Sequence, residues 1–267
     1  FILYSIYFLY HDGDLKVKDT DDLRNYTLIL AAVLAIPFAI WRGLVASKTA
    51  NIAEKTQVTT SFTTAITQLG DKELSIRLGG IYALRKIAED HPKSYKDVVG
   101  NTLQAFIRST SKYELTEKDI YECEEDEEKL KEKESNLKNK QIKEDISAAL
   151  ASLLGIGIKK LSLPYCLLNR AQLQEAQLQG AQLQGAQLIN AFLGGAQLKH
   201  AFLDRACLEK AILIETNLQG AILQEANLKG AKLGESNLQR ADLKGANLKE
   251  VSLSITNLEG ANLKGAD

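Results

Sequence analysis

From Leu163 to Leu263 every fifth residue is leucine, twenty-one times without interruption. Two positions before each leucine stands a small residue, usually alanine, and the other three positions of each unit are mostly polar. A period of five fits neither an α-helix nor a flat strand, so the pattern indicates an internal repeat. A unit this short cannot bury its own leucine. Burial requires stacking on further copies, which predicts a solenoid.

The repeat reads A-(Q/N)-L-x-x, as in AILQEANLKG at residues 221–230. Over residues 161–267 it resembles the pentapeptide-repeat family, whose pattern is A-(D/N)-L-x-x. The resemblance implies a right-handed, four-sided β-helix with one pentapeptide on each side. The leucine and the small residue would then point inward, and the other three positions outward. With four units per coil there are about five coils, and a strand spacing of about 4.8 Å gives a rod roughly 25 Å long.

If one coil holds twenty residues, outward residues twenty apart should stack in columns. One column, 177 to 257 in steps of twenty, contains only Gln and Asn and is expected to form an amide ladder. Two columns on opposite sides of the rod each carry an apolar pair, Phe192 with Ile212 and Phe202 with Ile222. These pairs have two alternative interpretations. They are surface apolar residues that stiffen a β column, or they are two patches on which a partner protein docks.

The last coil, roughly residues 247–267, is expected to leave a sheet edge and a layer of leucines uncovered. Unprotected edges pair with other chains, and solenoids need caps. The expectation is therefore end-to-end homodimerisation through this coil, or a capping segment absent from the given sequence. The leucines concerned are Leu248, Leu253, Leu258 and Leu263.

The N-terminal part is predicted to be a membrane anchor, residues 1–46. Residues 25–41 contain no charged side chain, which reaches the short end of what spans a bilayer. Tyr26 and Trp41 stand where interfacial aromatic residues belong. Residues 1–10 resemble the end of an earlier span, and 11–24 a loop between the two. The alternative is that 25–41 is a buried helix of a soluble domain.

Residues 47–110 are predicted to form a helical hairpin region. Asp71 can cap a helix over about 73–89, and Pro92 suits the first turn of a second helix. The plan is similar to one HEAT or armadillo unit. Residues 65–84 also resemble a segment of bacterial membrane-anchored pentapeptide-repeat proteins, in which two membrane helices precede the segment and the repeats follow it. That resemblance implies an architecture and names no activity.

Residues 111–145 form a charged connector with thirteen acidic residues and eight lysines. Such a stretch is typical of a solvated helix or a flexible linker. Residues 142–154 are apolar at helical spacing. They predict a capping helix and turn over 146–160 that covers the first coil of the rod.

Composition narrows the function classes. The net charge of −1 gives no reason to expect nucleic-acid binding. Three cysteines and three histidines are spaced without a metal, disulfide or triad pattern, so we expect no metal, no cofactor and no catalytic activity. Some pentapeptide-repeat proteins bind gyrase as DNA mimics. That role needs an anionic rod, whereas residues 161–267 carry ten acids and ten bases.

The sequence therefore predicts a membrane-tethered scaffold that binds other proteins of unknown identity. The alternative is a regulatory subunit of a membrane channel or transporter, which would favour ionisable residues inside the span, and 25–41 has none. Charge counts on the two sides of the span do not decide its orientation. The rod is expected in the cytoplasm because of its free thiols and because of the resemblance.

Overall fold

The computed structural model describes residues 20–111, 143–158 and 160–267, and for residues 20–27, 29 and 30 it describes the backbone alone. The predicted earlier span, residues 11–19 of the predicted loop and most of the charged connector lie outside this part. The chain divides into two compact units, Phe1–Thr60 and Ser61–Asp267.

Helix α1, Thr20–Leu69, accounts for all that is described of the first unit. It begins at Thr20, so the end of the predicted loop 11–24 is helical, and it runs through Pro37 without interruption. Between Ala31 and residue 57 every side chain is exposed. Within the described part, one helical stretch, Ala31–Leu69, is long and apolar enough to cross a membrane, and a signal sequence has the same properties.

Several threonines of α1 follow the apolar stretch and could have weakened the helix. Their hydroxyl groups instead donate to the carbonyl four residues earlier, as Thr49 does to Val45 and Thr56 to Ile52, both at 2.9 Å. These bonds give the threonine hydroxyl groups a partner within the helix, so they do not compete with it by forming a turn.

The helical part of the second unit contains the end of α1 and three further helices: α2, Leu74–Asp90; α3, Pro92–Ser111; and α4, Glu144–Gly155. The predicted hairpin is confirmed within a few residues. Pro92 is the first residue of α3, and the Asp71 carboxylate accepts the Glu73 N–H at 2.8 Å just before α2. Gly80 allows α2 to approach α1, because a Cβ there would lie 2.7 Å from the Ala65 carbonyl oxygen.

A buried ion pair fastens α4 to α2. Arg77 Nε donates to Asp145 Oδ2 at 2.7 Å, and Asp145 is only 1 % exposed. The same guanidinium donates to the backbone oxygens of Asp71 and Lys72, at 3.1 and 2.8 Å. One arginine thus holds the α1–α2 turn and the first turn of α4 together, although Asp145 stands sixty-eight residues later in the chain.

The C-terminal part is a stack of four-sided coils. Parallel backbone bridges join residues exactly twenty apart, from Ser162 with Gln182 to Asp242 with Asn262. Each bridge involves a single residue, because two of every five residues belong to the turns at the corners. The predicted twenty-residue register is confirmed. Each side of a coil contains a single bridging residue and no longer strand.

Inside the coils, the leucines and alanines from Leu161 to Ala246 form one continuous buried core with α2, α3 and α4. Where a hydroxyl replaces alanine, it is satisfied by the backbone. Thr216 donates to the Leu193 carbonyl at 2.8 Å, and Ser236 donates to the Leu233 carbonyl at 2.6 Å. The inward assignment from the sequence is therefore confirmed.

The edge of the first coil is capped by α3. Gln104, Arg108 and Ser111 share one face of that helix. The Ser162 N–H donates to the Gln104 side chain at 2.6 Å, Arg108 donates to the Ser162 carbonyl at 2.8 Å, and the Leu167 N–H donates to the Ser111 carbonyl at 3.0 Å. These bonds replace those that a preceding coil would make. The expected cap, residues 146–160, contains helix α4, which contributes Ile146 and Leu153 to the shared core; the polar capping comes from α3.

Candidate interaction surfaces of the rod

Each side of the rod presents one outward column of bridging residues. We name the sides after their members: the Phe192 face (172, 192, 212, 232, 252), the amide face (177, 197, 217, 237, 257), the Phe202 face (162, 182, 202, 222, 242, 262) and the Cys207 face (167, 187, 207, 227, 247, 267). Because four sides complete a coil, the Phe192 and Phe202 faces lie opposite each other. This agrees with the placement expected from the sequence.

The amide face is held mainly by turns rather than by a ladder. Asn237 and Asn257 accept the N–H two residues later, both at 3.0 Å, which fixes the turn that follows. One rung of the predicted ladder is present, from Asn217 Nδ2 to Gln197 Oε1 at 3.2 Å. A neighbouring corner column makes the better ladder, with Gln239 accepting from Gln219 at 2.7 Å. Sequence reasoning missed it because it considered only the bridging column.

On the Phe202 face, a polar network adjoins the apolar pair. Phe202 and Ile222 are half-buried, and the next residue along the column is Asp242. Its carboxylate accepts hydrogen bonds from Gln224 at 2.6 Å and from Asn262 at 2.9 Å. The Gln224 bond, more than the others, holds the pKa of Asp242 below its ordinary value. Polar groups on this face are therefore satisfied within the chain.

The Phe192 face is the more apolar of the two. Phe192 and Ile212 are half-buried, and two isoleucines add to them. Ile214, next to the Ile212 column, is 39 % exposed, and Ile255, at the following corner, is 82 % exposed. Ile255 also has a φ of 59°, a conformation that a β-branched residue rarely adopts. The same positive φ recurs at most corners of the rod, so at Ile255 the unusual feature is the apolar side chain that the corner exposes.

The last coil is open along its end. Leu248 and Leu258 are half-buried, and Leu253 and Leu263 are exposed, whereas the leucines from Leu163 to Leu243 are fully covered. End-to-end association through this coil stays a prediction.

Two cysteines of the described residues, Cys166 and Cys207, are reduced thiols inside and on the side of the rod. Cys166 is buried, which raises the pKa of its thiol, and Cys207 is half-buried. His200 covers the corner at Gly220, where a Cβ would lie 2.6 Å from its Nδ1. In the ranges that the structure describes, no three His, Cys, Asp or Glu side chains are grouped to hold a metal. Cys123 and His11 lie outside those ranges.

Single-residue parallel bridges, twenty-residue coils and an interior of leucine and alanine define a four-sided β-solenoid built from five-residue units. Residues 166–267 match the family described as "Pentapeptide repeats", in eight copies over 166–205, 176–213, 203–240 and 236–267. The rod is a pentapeptide-repeat domain, and the family implies a right-handed coil. The proposed link of the N-terminal region to membrane-anchored members stays a prediction.

Several solved structures are similar to the chain. A pentapeptide repeat protein from the Arabidopsis thaliana thylakoid lumen is 27 % identical, with 34 % of this chain and 70 % of that protein covered and a TM-score of 0.29. Rfr23 from the cyanobacterium Cyanothece 51142 is 35 % identical, with 42 % and 65 % covered and a TM-score of 0.22. A pentapeptide repeat protein from Nostoc PCC 7120 is 36 % identical, with 28 % and 62 % covered and a TM-score of 0.28. No curated protein matches the chain.

Proposed function

We propose that this protein is a membrane-tethered scaffold without catalytic activity, whose pentapeptide-repeat rod binds other proteins. The observation that carries the proposal is the contrast between two kinds of surface. The first half of α1 exposes apolar side chains on all sides, including Val33, Leu34 and Ile36. The rod keeps most of its apolar side chains inside and exposes a few on its sides.

A helix that is apolar on all sides belongs in an apolar surrounding. The described part of α1 supplies no cover for its apolar stretch, and a bilayer would supply one. Trp41 is followed by Arg42, an order typical of a span that ends at the interface. We place the rod in the cytoplasm because its thiols are free, which suits a reducing compartment.

The rod offers partners a rigid side surface. Its side faces carry the two candidate docking pairs, Phe192 with Ile212 and Phe202 with Ile222. The Phe192 face is the better candidate, because Ile214 and Ile255 extend its exposed apolar area. Solenoids commonly use such extended surfaces for binding.

We expect the full chain to remain in the membrane pellet after alkaline carbonate extraction. A variant with Leu34→Lys and Phe38→Lys should shift to the supernatant, since each lysine adds a cost of a few kcal/mol at the centre of a span. A tag placed before Phe1 distinguishes a membrane span from a cleaved signal sequence. The tag stays in the pellet with the chain only if the helix is retained. Release of the unaltered chain by carbonate would contradict membrane anchoring.

Binding through the Phe192 face can be tested with a photoreactive side chain at position 214. We expect covalent protein adducts in native membranes, while the same group at Gln219, at the corner that follows the amide face, should give few. Equal adducts at both positions, or none at either, would contradict docking on the Phe192 face. The mass of the adduct reports the partner.

A further inference from the structure

Two exposed isoleucines, Ile214 and Ile255, adjoin the Phe192 face, while Tyr165 is exposed at the corner after the Phe202 face. Ile214 is the one large apolar side chain between the first and the last coil that is more than a third exposed. Ile255 stands at the corner that closes the same face, two coils further on. The amide face has no apolar bridging residue at all.

The two corners of this face differ in net charge. The corner before the face has four basic residues and two acidic ones, and the corner after it has acidic residues alone: Arg170, Lys210, Lys229 and Lys249 with Glu209 and Glu250, against Glu175, Glu215 and Glu235. Arg170 precedes Glu175 by five residues, and Lys210 precedes Glu215 by five. Because five residues are one side of a coil, the two members of each pair lie within about 1 Å of the same height along the rod. Among the described residues, no ion pair engages either Lys210 or Glu215.

The charge pattern selects one way of pairing two copies of the face. A two-fold axis parallel to the rod sets the rods side by side and parallel, and the basic corner of one copy then meets the acidic corner of the other at equal height. A two-fold axis across the rod sets them antiparallel and brings acidic corners together. An isologous contact repeats each pair. Lys210 with Glu215 and Arg170 with Glu175 therefore each occur twice in the parallel arrangement.

The opposite side of the rod carries one base–acid combination of this kind, Lys199 with Asp204. At the corner after the Phe202 face, Arg205 donates to Glu225 at 2.9 Å, so these two charges pair within one chain. Asp242 on that face is satisfied by Gln224 and Asn262. The Phe202 face thus has a similar apolar pair and one such charge combination, against two on the Phe192 face.

We propose that the partner that docks on the Phe192 face is a second copy of this chain, bound through its own Phe192 face with the two rods parallel. The central column lies near the two-fold axis, so Ile212 packs against its own counterpart, with Ile214 beside it. Lys210 of one copy pairs with Glu215 of the other. Parallel rods bring the N-terminal ends of both rods to the same end.

The size of the face explains why the contact needs the membrane. A rod about 25 Å long with sides about 10 Å wide offers a smaller area than the roughly 800 Å² per partner of a standard interface. Tethering to one membrane raises the effective concentration and compensates for a weak contact. The inference therefore rests on the proposed membrane anchoring, and the pellet from carbonate extraction is the material in which to test it.

The first experiment is disulfide cross-linking from single cysteines. With Cys123→Ser, Cys166→Ala and Cys207→Ser as background, Ile212→Cys near the axis should give a dimer of twice the chain mass on mild oxidation. Ile222→Cys, half-buried on the opposite face, is the matched control and should stay monomeric. Cross-linking at both positions alike, or at 222 alone, would overturn the proposal. So would an absence of dimer from both Ile212→Cys and Phe192→Cys in chains retained in the pellet.

The second experiment swaps the charges. Lys210→Glu in the Ile212→Cys chain should reduce the dimer about tenfold, because like charges now meet twice. Adding Glu215→Lys should restore it. Swapping Arg205 and Glu225 is the control and should leave cross-linking unchanged. A dimer unaffected by Lys210→Glu, or not restored by the second change, would rule out parallel pairing and favour an antiparallel or end-on contact. Loss of the chain from the pellet would instead count against the anchor.

Discussion

Replacing Leu218 by alanine in the middle of the rod is expected to lower the free energy of unfolding by about 2–5 kcal/mol. Leu218 is 1 % exposed and lies inside the stack, with coils above and below it. The loss combines the leucine's burial with the cavity that remains, because neighbouring coils held by backbone bonds cannot collapse into the space. Urea unfolding followed by circular dichroism measures the shift.

The adjacent Asn217 provides the control for this prediction. It is half-buried, donates to Gln197 at 3.2 Å and accepts the Gln219 N–H at 3.2 Å. Asn217→Ala should cost about 1 kcal/mol or less, since water can replace partly exposed hydrogen bonds. Equal destabilisation by the two changes would mean that the outward amides hold the rod as firmly as the leucines.

Replacing Asp145 by alanine is expected to destabilise the helical part of the second unit by about 3–5 kcal/mol, which is typical when one partner of a buried ion pair is removed. Arg77, 21 % exposed, would keep its two backbone acceptors and lose its only carboxylate partner among the described residues. The first turn of α4 would lose its link to α2. Chemical denaturation gives the magnitude, and hydrogen exchange should show α4 losing protection first.

The control for Asp145 is the exposed pair of Arg205 and Glu225. Glu225→Gln should leave the unfolding midpoint almost unchanged, because solvent screens a surface pair. Should Asp145→Ala behave like Glu225→Gln, the Arg77 contact would be incidental to the fold.

The rod was predictable because its information is local and repeated. A leucine every fifth residue gives the inward column, and the twenty-residue coil then assigns Phe192 and Ile212 to one face. The starts of α2, shortly after Asp71, and of α3, at Pro92, were also readable to within a few residues, since helix starts depend on neighbouring residues.

Features that join distant parts of the chain were not predictable. Gln104, Arg108 and Ser111 look like ordinary polar residues of a helix until the first coil lies against them. Asp145 belongs to a charged stretch and gives no sign that it becomes buried against Arg77. Asn237 could likewise either bond to the turn that follows it or join an amide ladder. The geometry of the corner decides which hydrogen bond forms, and the composition does not show it.

The register of twenty residues also constrains how such a rod can change in length. An insertion of one residue would move every later leucine out of the interior. Five added residues keep the interior but turn all later faces by a quarter, so that Ile212 would no longer follow Phe192 in the same column. Twenty added residues lengthen the rod by about 4.8 Å and leave every face aligned. Gene duplication can therefore extend this protein with every column still aligned only in steps of four repeats.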